Sequence, residues 1–522
     1  MPVNEFVGPE VEWFALSPLI VLVLGALAML LIGAMTPRWP RGLSALAAAS
    51  VAGAAGVLAI INWIGITDDG PRTLVAGAMA FDALAQFITL IIVGALLLVI
   101  LVSDDEVRAS GVDEPEVYAL YLLAAAGGVV MGAANDLIVL FIGLESLSLA
   151  LYVLAASARR RSGSQESGLK YFILGGFASA VFLYGIALIY GGSGTTNLGR
   201  IVGELQGSVT TGSSDALTLA GIALLLVGLG FKVGSVPFHQ WVPDVYQGAP
   251  SPVTALMGSV GKAAAFGAML RVLVIGLPLF RDDWRPVIWV LALVSLIVGP
   301  LLAAVQTDVK RMIAYSSVAH VGFMLLGVEA VGRRAGEADL GSGMASVVLY
   351  LLFYGIITVG TLGVVTVVAR SAGGDTSLRG LIGLSARRPS MALALTVLLL
   401  AQAGVPFTTG FVAKFGVIRA AVEAQSYVLA IIAMVAAIVA AFVYLRIMIT
   451  VWARTDAEVV AVVGADADAA EMASVEGPIA ARLSVPAAAG VAIGAAALFT
   501  VVFGIEPVWF IDLAQNVNDY AR

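Results

Sequence analysis

The chain has 522 residues, 60% hydrophobic and 12% charged, with a formal net charge of −7 and no cysteine. A soluble core of this size cannot hide so much apolar surface, so lipid is the solvent for most of it. Disulfides, thiolate-held iron–sulfur clusters and a thiol nucleophile are excluded, and charge spread thinly over loops gives no sign of nucleic-acid binding.

Taken in order, apolar stretches long enough to cross hydrocarbon number fourteen. They lie near 16–35, 43–64, 82–102, 117–133, 136–157, 169–190, 216–241, 252–276, 285–305, 311–331, 344–369, 390–418, 426–452 and 483–510. No basic leader or small-residue cleavage site precedes the first, so it is read as a retained span. The predicted fold is an all-α polytopic membrane protein. When loops are assigned alternately to two sides, one side carries the excess of Lys and Arg, including Arg159, Arg160 and Arg161 in one loop and Arg387 and Arg388 in another. That bias places these loops in the cytoplasm and both termini outside.

The seventh and twelfth spans are over-long and interrupted by proline. Gly-Ser-Val-Pro-Phe at 234–238 is answered by Ala-Gly-Val-Pro-Phe at 403–407. With alternating topology the two spans run in opposite senses, as an inverted repeat requires. The expected organisation is a three-helix segment at 1–110, repeats of five helices at 111–280 and 281–455, an acidic Ala-rich loop at 456–481 and a C-terminal helix at 482–522.

Ionisable groups inside such spans cost about 2.5–3.5 kcal/mol each on insertion scales, so they mark where function sits. Glu145 lies mid-span with Ser146 and Ser148 beside it, while Lys232, Lys262 and Lys414 lie in the seventh, eighth and twelfth spans. Burial disfavours the charged form of a lysine or a glutamate, and mutual attraction favours it. Moving a glutamate towards or away from a lysine therefore switches whether the lysine holds its proton. A static ion pair fixing helix register is the plainer reading of any one pair, but one mid-span glutamate cannot neutralise three lysines.

Pro237 and Pro406 remove backbone donors, and the carbonyls they free must meet protein or water. An ordinary kink is the alternative for either proline alone. The polar company argues for a hydrated cavity: His239, Gln240 and Asp244 follow one break, and Thr408, Thr409 and Lys414 the other. His239 and His320 can each donate and accept a proton near neutral pH, and His320 shares a helical face with Ser316 and Ser317. Either histidine can equally be a satisfied hydrogen-bonding residue. Arg271 and Arg446 are expected to snorkel from span ends, and Asp82 and Asp136 to be N-terminal helix charges.

Three stretches carry a resemblance. LKYFILGGFASAVFLYGIALIYGGSGT at 169–195, FKVGSVPFHQWVPDVYQGAPSPVTA at 231–255 and VKRMIAYSSVAHVGFMLLG at 309–327 closely resemble the subunit N family of bacterial respiratory complex I, the proton-pumping NADH–quinone oxidoreductase. Membrane subunits of sodium/proton antiporters share the broken helices and the lysines, and supply the alternative function. The resemblance covers roughly the fourth to the thirteenth span. It implies a non-redox translocating subunit of the bacterial plasma membrane, driven by quinone reduction elsewhere. Flavin mononucleotide and iron–sulfur clusters would then reside in partner subunits, beside neighbouring antiporter-like subunits and lipids. Carried over by position, Glu145 modulates Lys232, Lys262 and His239 bridge the two halves, and Lys414 passes the proton onward. Members often have two successive prolines at the second break; here Phe407 follows Pro406, which predicts a milder break.

Overall fold

The computed structural model describes residues 11–36, 39–40, 42–110, 114–208, 215–337, 340–453 and 483–520. Thirteen helices among them are long and apolar enough to cross a membrane. In chain order these include α1 (Ser17–Met35), α2 (Leu43–Asp69), α3 (Ala83–Ser110), α4 (Glu114–Ala133), α5 (Leu137–Ala155) and α6 (Ser162–Ser193). A short α7 (Leu198–Ser208) precedes α8 (Asp215–Val233), which stops short of the predicted end of the seventh span at 241, and α9 (Trp241–Gly248), which begins where that span was expected to end. Then come α10 (Ser251–Gly276), α11 (Arg281–Ala304), α12 (Val309–Gly332) and α13 (Gly343–Ser371). The twelfth predicted span is split into α14 (Pro389–Ala403) and α15 (Thr409–Glu423), each too short to cross alone. Next are α16 (Tyr427–Trp452), α17 (Ala487–Ile505) and α18 (Val508–Tyr520). The all-α expectation misses one feature, an antiparallel hairpin of β1 (Arg72–Leu74) and β2 (Met79–Phe81). The predicted loop at 456–481 lies outside the described residues.

Burial sorts the helices. α10, α12 and α13 are enclosed almost throughout, whereas α1 and α17 turn most of their residues outward. The enclosed helices are those with polar and ionisable side chains to shelter, as lipid demands. Within α10, π-helical turns at Met257–Gly261 and Arg271–Gly276 lie on both sides of Lys262.

The internal repeat is written in the backbone as well as the sequence. Asp136 caps α5, accepting from the Ile138 amide at 2.8 Å, and takes a bond from Thr196 Oγ1 at 2.7 Å. Asp308 caps α12 in the same way, through the Arg311 amide at 3.0 Å and Thr376 Oγ1. The Leu137 amide bonds Thr196 O, and the Val309 amide bonds Thr376 O, each at 2.9 Å. The helix pair α5–α6 thus recurs as α12–α13, five spans later and upside down.

Both broken helices stop by a common device, and proline is not the stop. α8 ends at Gly234 (φ +76°), with the Ser235 amide reaching back to Gly230 O; α14 ends at Gly404 (φ +86°), with the Val405 amide reaching Leu400 O. A glycine in the left-handed region followed by this backward bond is a helix terminator that side-chain-bearing residues resist. Pro237 and Pro406 come two or three residues later and keep the helix from resuming. The second break is the shorter, running over 404–408 against 234–240 at the first. Phe407 itself adopts φ +67°, a conformation that a proline in its place is unable to take.

Candidate functional site

The three intramembrane lysines are all enclosed, at 7%, 4% and 6% exposure for Lys232, Lys262 and Lys414. Two of them find the carbonyls released by the helix breaks. Lys262 Nζ donates to Val233 O at 3.0 Å, at the end of α8. Lys414 Nζ donates to Gln402 O at 2.8 Å and Ala403 O at 3.0 Å, at the end of α14. An ammonium at a helix C-terminus meets the negative end of the macrodipole, so each break is built to hold a cation. Trp241 Nε1 donates at 3.0 Å to Phe231 O, a carbonyl that also accepts from the Gly234 amide.

Lys232 is held differently. Its Nζ donates to Ser148 Oγ at 2.7 Å, one helical turn along α5 from Glu145. Glu145 in turn accepts from Ser179 Oγ of α6. The expected carboxylate–lysine contact is therefore not a direct ion pair. Two serines stand between, and Ser148, Ser179 and Lys232 line one narrow cavity with Tyr152. Glu145 still acts on Lys232 electrostatically, but nothing locks the pair together.

The histidines part company. His320 lies at the centre: Nδ1 is 2.7 Å from Tyr350 Oη, Nε2 is 3.0 Å from Tyr444 Oη, and both Lys262 and Lys414 act on the ring. Ser316, expected beside His320, reaches it only through Tyr444. His239 is half-buried beside Tyr315, with ring centroids 6.3 Å apart, and bonds none of the lysines. In chain-to-chain order, then, the structure brings together Glu145, Lys232, Lys262, His320 and Lys414, with His239 to one side.

Several polar residues were not legible beforehand. Arg271 does not snorkel. It is 1% exposed and forks onto Asp82 at 2.5 and 2.9 Å while its Nε donates to Gly132 O. Asp82 does cap α3, through the Ala85 amide at 2.8 Å, but it also neutralises this arginine. Arg446 Nη1 binds Ala304 O and Gln306 O at 2.9 Å, closing the end of α11 instead of reaching for solvent. Glu329 is fully buried between Arg285 and Arg333, and takes the Ser426 hydroxyl. Tyr350, Tyr354 and Tyr444 read as ordinary aromatic filling in apolar runs; only a hydroxyl at the level of a buried histidine would have marked them.

Gly404 offers a test of how tightly the second break holds its lysine. A methyl group there would sit 2.9 Å from Lys414 Cδ and occupy a left-handed residue. Gly404→Ala is expected to cost about 1–2 kcal/mol from backbone conformation and to push Lys414 off its carbonyls. Thermal unfolding in detergent reads the first effect and proton pumping by the assembled complex the second.

Comparisons with known proteins agree with this geometry. Residues 134–440 match the family described as NADH:quinone oxidoreductase/Mrp antiporter, TM. The whole chain aligns at 38% identity with NADH-quinone oxidoreductase subunit N 3 of Streptomyces griseus, covering 96% of that protein. Among solved structures, a chain of respiratory complex I from Thermus thermophilus is 29% identical, with a TM-score of 0.75 over 95% of this chain and 98% of that one. A chain of the Mrp complex from Dietzia has the same fold, with a TM-score of 0.80 over 97% of both chains, at 21% identity. Shared fold extends to both kinds of complex, but near-complete sequence alignment is with the quinone enzymes, and this chain belongs to the NADH-quinone oxidoreductase subunit N family.

Proposed function

We propose that the chain is a proton-translocating membrane subunit of a respiratory NADH–quinone oxidoreductase, carrying no redox centre itself. The observation that carries this reading is the row of ionisable groups from the half-buried Glu145 through the buried Lys232, Lys262 and His320 to Lys414. Lys262 and Lys414 rest on broken-helix carbonyls, while Lys232 has one hydroxyl and a mobile-length carboxylate nearby. Lys232 is thus the lysine whose proton affinity responds most to a small movement. When Glu145 swings towards Ser148 the ammonium is stabilised; when it turns away, an ammonium with only a serine for a partner gives up its proton. The proton passes inward to Lys262, across His320 with its two tyrosine hydroxyls, and on to Lys414. His239, as the polar group after the first break, would stand at a lateral branch. Repeat units at 111–280 and 281–455 place one broken helix in each half of that row.

Two features support assembly with neighbours in the membrane. Glu145 is only half-buried in the single chain, and Ile142 and Leu149 beside it are 56% and 52% exposed. A carboxylate left facing lipid is costly, so a second membrane subunit would cover this face. Redox groups would then sit in other subunits. The cation/proton antiporter reading shares the fold but lacks sequence support of comparable extent.

Glu145→Gln preserves the Ser179 bond and removes the charge. It is expected to leave the complex assembled while slowing NADH-driven proton pumping about tenfold, less than the roughly hundredfold or more that a positioned proton-transfer group contributes, because Lys232 itself is kept. Wild-type pumping by the assembled variant would rule out the switching role.

A further inference from the structure

Lys310 is a buried cation that the row above does not use. It stands in the first turn of α12, 1% exposed, and its Nζ donates to Ala249 O at 2.5 Å and Gln247 O at 3.1 Å. Those carbonyls belong to the end of α9, and among the described residues no carboxylate lies within ion-pair distance of Lys310. The charges acting on it are Asp308 of its own helix, Arg161 of the arginine-rich loop and Glu106 of α3. Glu106 lines a cavity of about 240 Å³ between α3, α13 and the start of α17, at the same end of the bundle.

From Lys310 a polar stripe leads inward. Ser317 and His320 follow seven and ten residues later on one face of α12. Ser317 is 1% exposed, yet its Oγ has no hydrogen-bond partner. The hydroxyls of Tyr246 on α9 and Tyr354 on α13 both approach it without closing a bond. The Tyr354 ring lies 4.8 Å from the His320 ring. Tyr246 Oη also faces the π-helical turn of α10, 3.5 Å from where a Cβ on Gly258 would stand. A buried hydroxyl without a partner costs free energy. Three hydroxyls around one point are what a bound water needs.

We propose that Lys310, Tyr246, Ser317 and Tyr354 form a proton-uptake branch that feeds His320 from the end of the bundle bearing the arginine-rich loops. The inference rests on the translocation reading above and adds its supply route. The Lys310 ammonium releases one proton inward. Each hydroxyl or water accepts a proton on a lone pair and passes its own forward, so no charge stays on it, and the His320 imidazole gains one proton. Lys310 is reprotonated from the side of Glu106. His320 faces Tyr350 and Tyr354 of α13, Tyr444 of α16, Lys262 and Lys414, so it hands the proton to the row in either direction.

The plain alternative is that Lys310 merely ties α9 to α12 and the hydroxyls only pack. Ser317→Ala and Tyr354→Phe keep the shape and remove a relay atom. Lys310→Arg keeps a donor for the α9 carbonyls but holds its proton permanently. In inverted vesicles carrying the whole complex, NADH-driven pumping is measured while the pH of the bulk medium is raised. The expected result is a loss of about fivefold in each variant, a modest share of the effect of a proton-transfer group, growing as bulk protons become scarce. Loss independent of bulk pH, or wild-type pumping in Ser317→Ala and Tyr354→Phe beside a defective Lys232→Ala control, overturns the branch and leaves the translocation reading standing. Unimpaired pumping in Lys232→Ala as well would overturn both.

Discussion

In vesicles carrying the assembled complex, Lys232→Met is expected to lower NADH-driven proton pumping at least tenfold and towards the roughly hundredfold at the low end for loss of a positioned proton-transfer group. Lys232 donates to a single hydroxyl, Ser148 Oγ, whose own hydrogen is committed to Leu144 O. Removing the ammonium therefore orphans no acceptor. It also relieves the burial of a cation, so the fold should tolerate the change. Lys232→Arg makes the sharper experiment, because a guanidinium fills the site with the same charge and never releases its proton. If both variants assemble and pump at wild-type rates, Lys232 is a structural cation and the switching mechanism is wrong.

The second large effect concerns stability. Arg271 and Asp82 form the most enclosed ion pair among the described residues, each 1% exposed. Removing one partner leaves a bare charge in the interior, a change that costs about 3–5 kcal/mol. Arg271→Met alone should reduce the amount of assembled complex and its thermal stability. Combining it with Asp82→Leu removes both charges and should recover most of the loss, since an apolar pair of similar volume is often as stable. A double variant no better than Arg271→Met would show that the bonds to Gly132 O and the Ala85 amide matter more than the charge pair.

Much of the architecture could be read in advance because lipid imposes a simple rule: apolar runs must cross, and charges inside them need a reason. Span positions, the two interrupted spans and the four ionisable residues Glu145, Lys232, Lys262 and Lys414 all follow from it. Cap chemistry at Asp136 was also legible, because an Asp before an apolar run satisfies free amides at a helix start.

What the rule does not supply is the neighbour across a helix interface. Lys262 and Val233 are joined only when α10 folds against the end of α8, and Arg271 and Asp82 lie 189 residues apart. The same limit explains the serines. Ser148 and Ser179 are small and neutral, so their cost in hydrocarbon is slight and nothing in their flanks distinguishes them from packing residues. Proline drew attention to the breaks, although glycine terminates the helices; the left-handed backbone at Gly234 and Gly404 is a property of conformation that composition leaves open.

The sequence by itself therefore determined the solvent of this protein, the approximate positions of its crossings, and the short roster of charges that lipid would expel unless they work. Tertiary structure decided how those charges are spaced. It put His320 and not His239 between the lysines, gave two lysines to helix ends, and left the third facing a serine with its carboxylate a turn away. The reason is physical: insertion cost depends on a residue's own chemistry, whereas a proton's route depends on distances between helices that only packing sets.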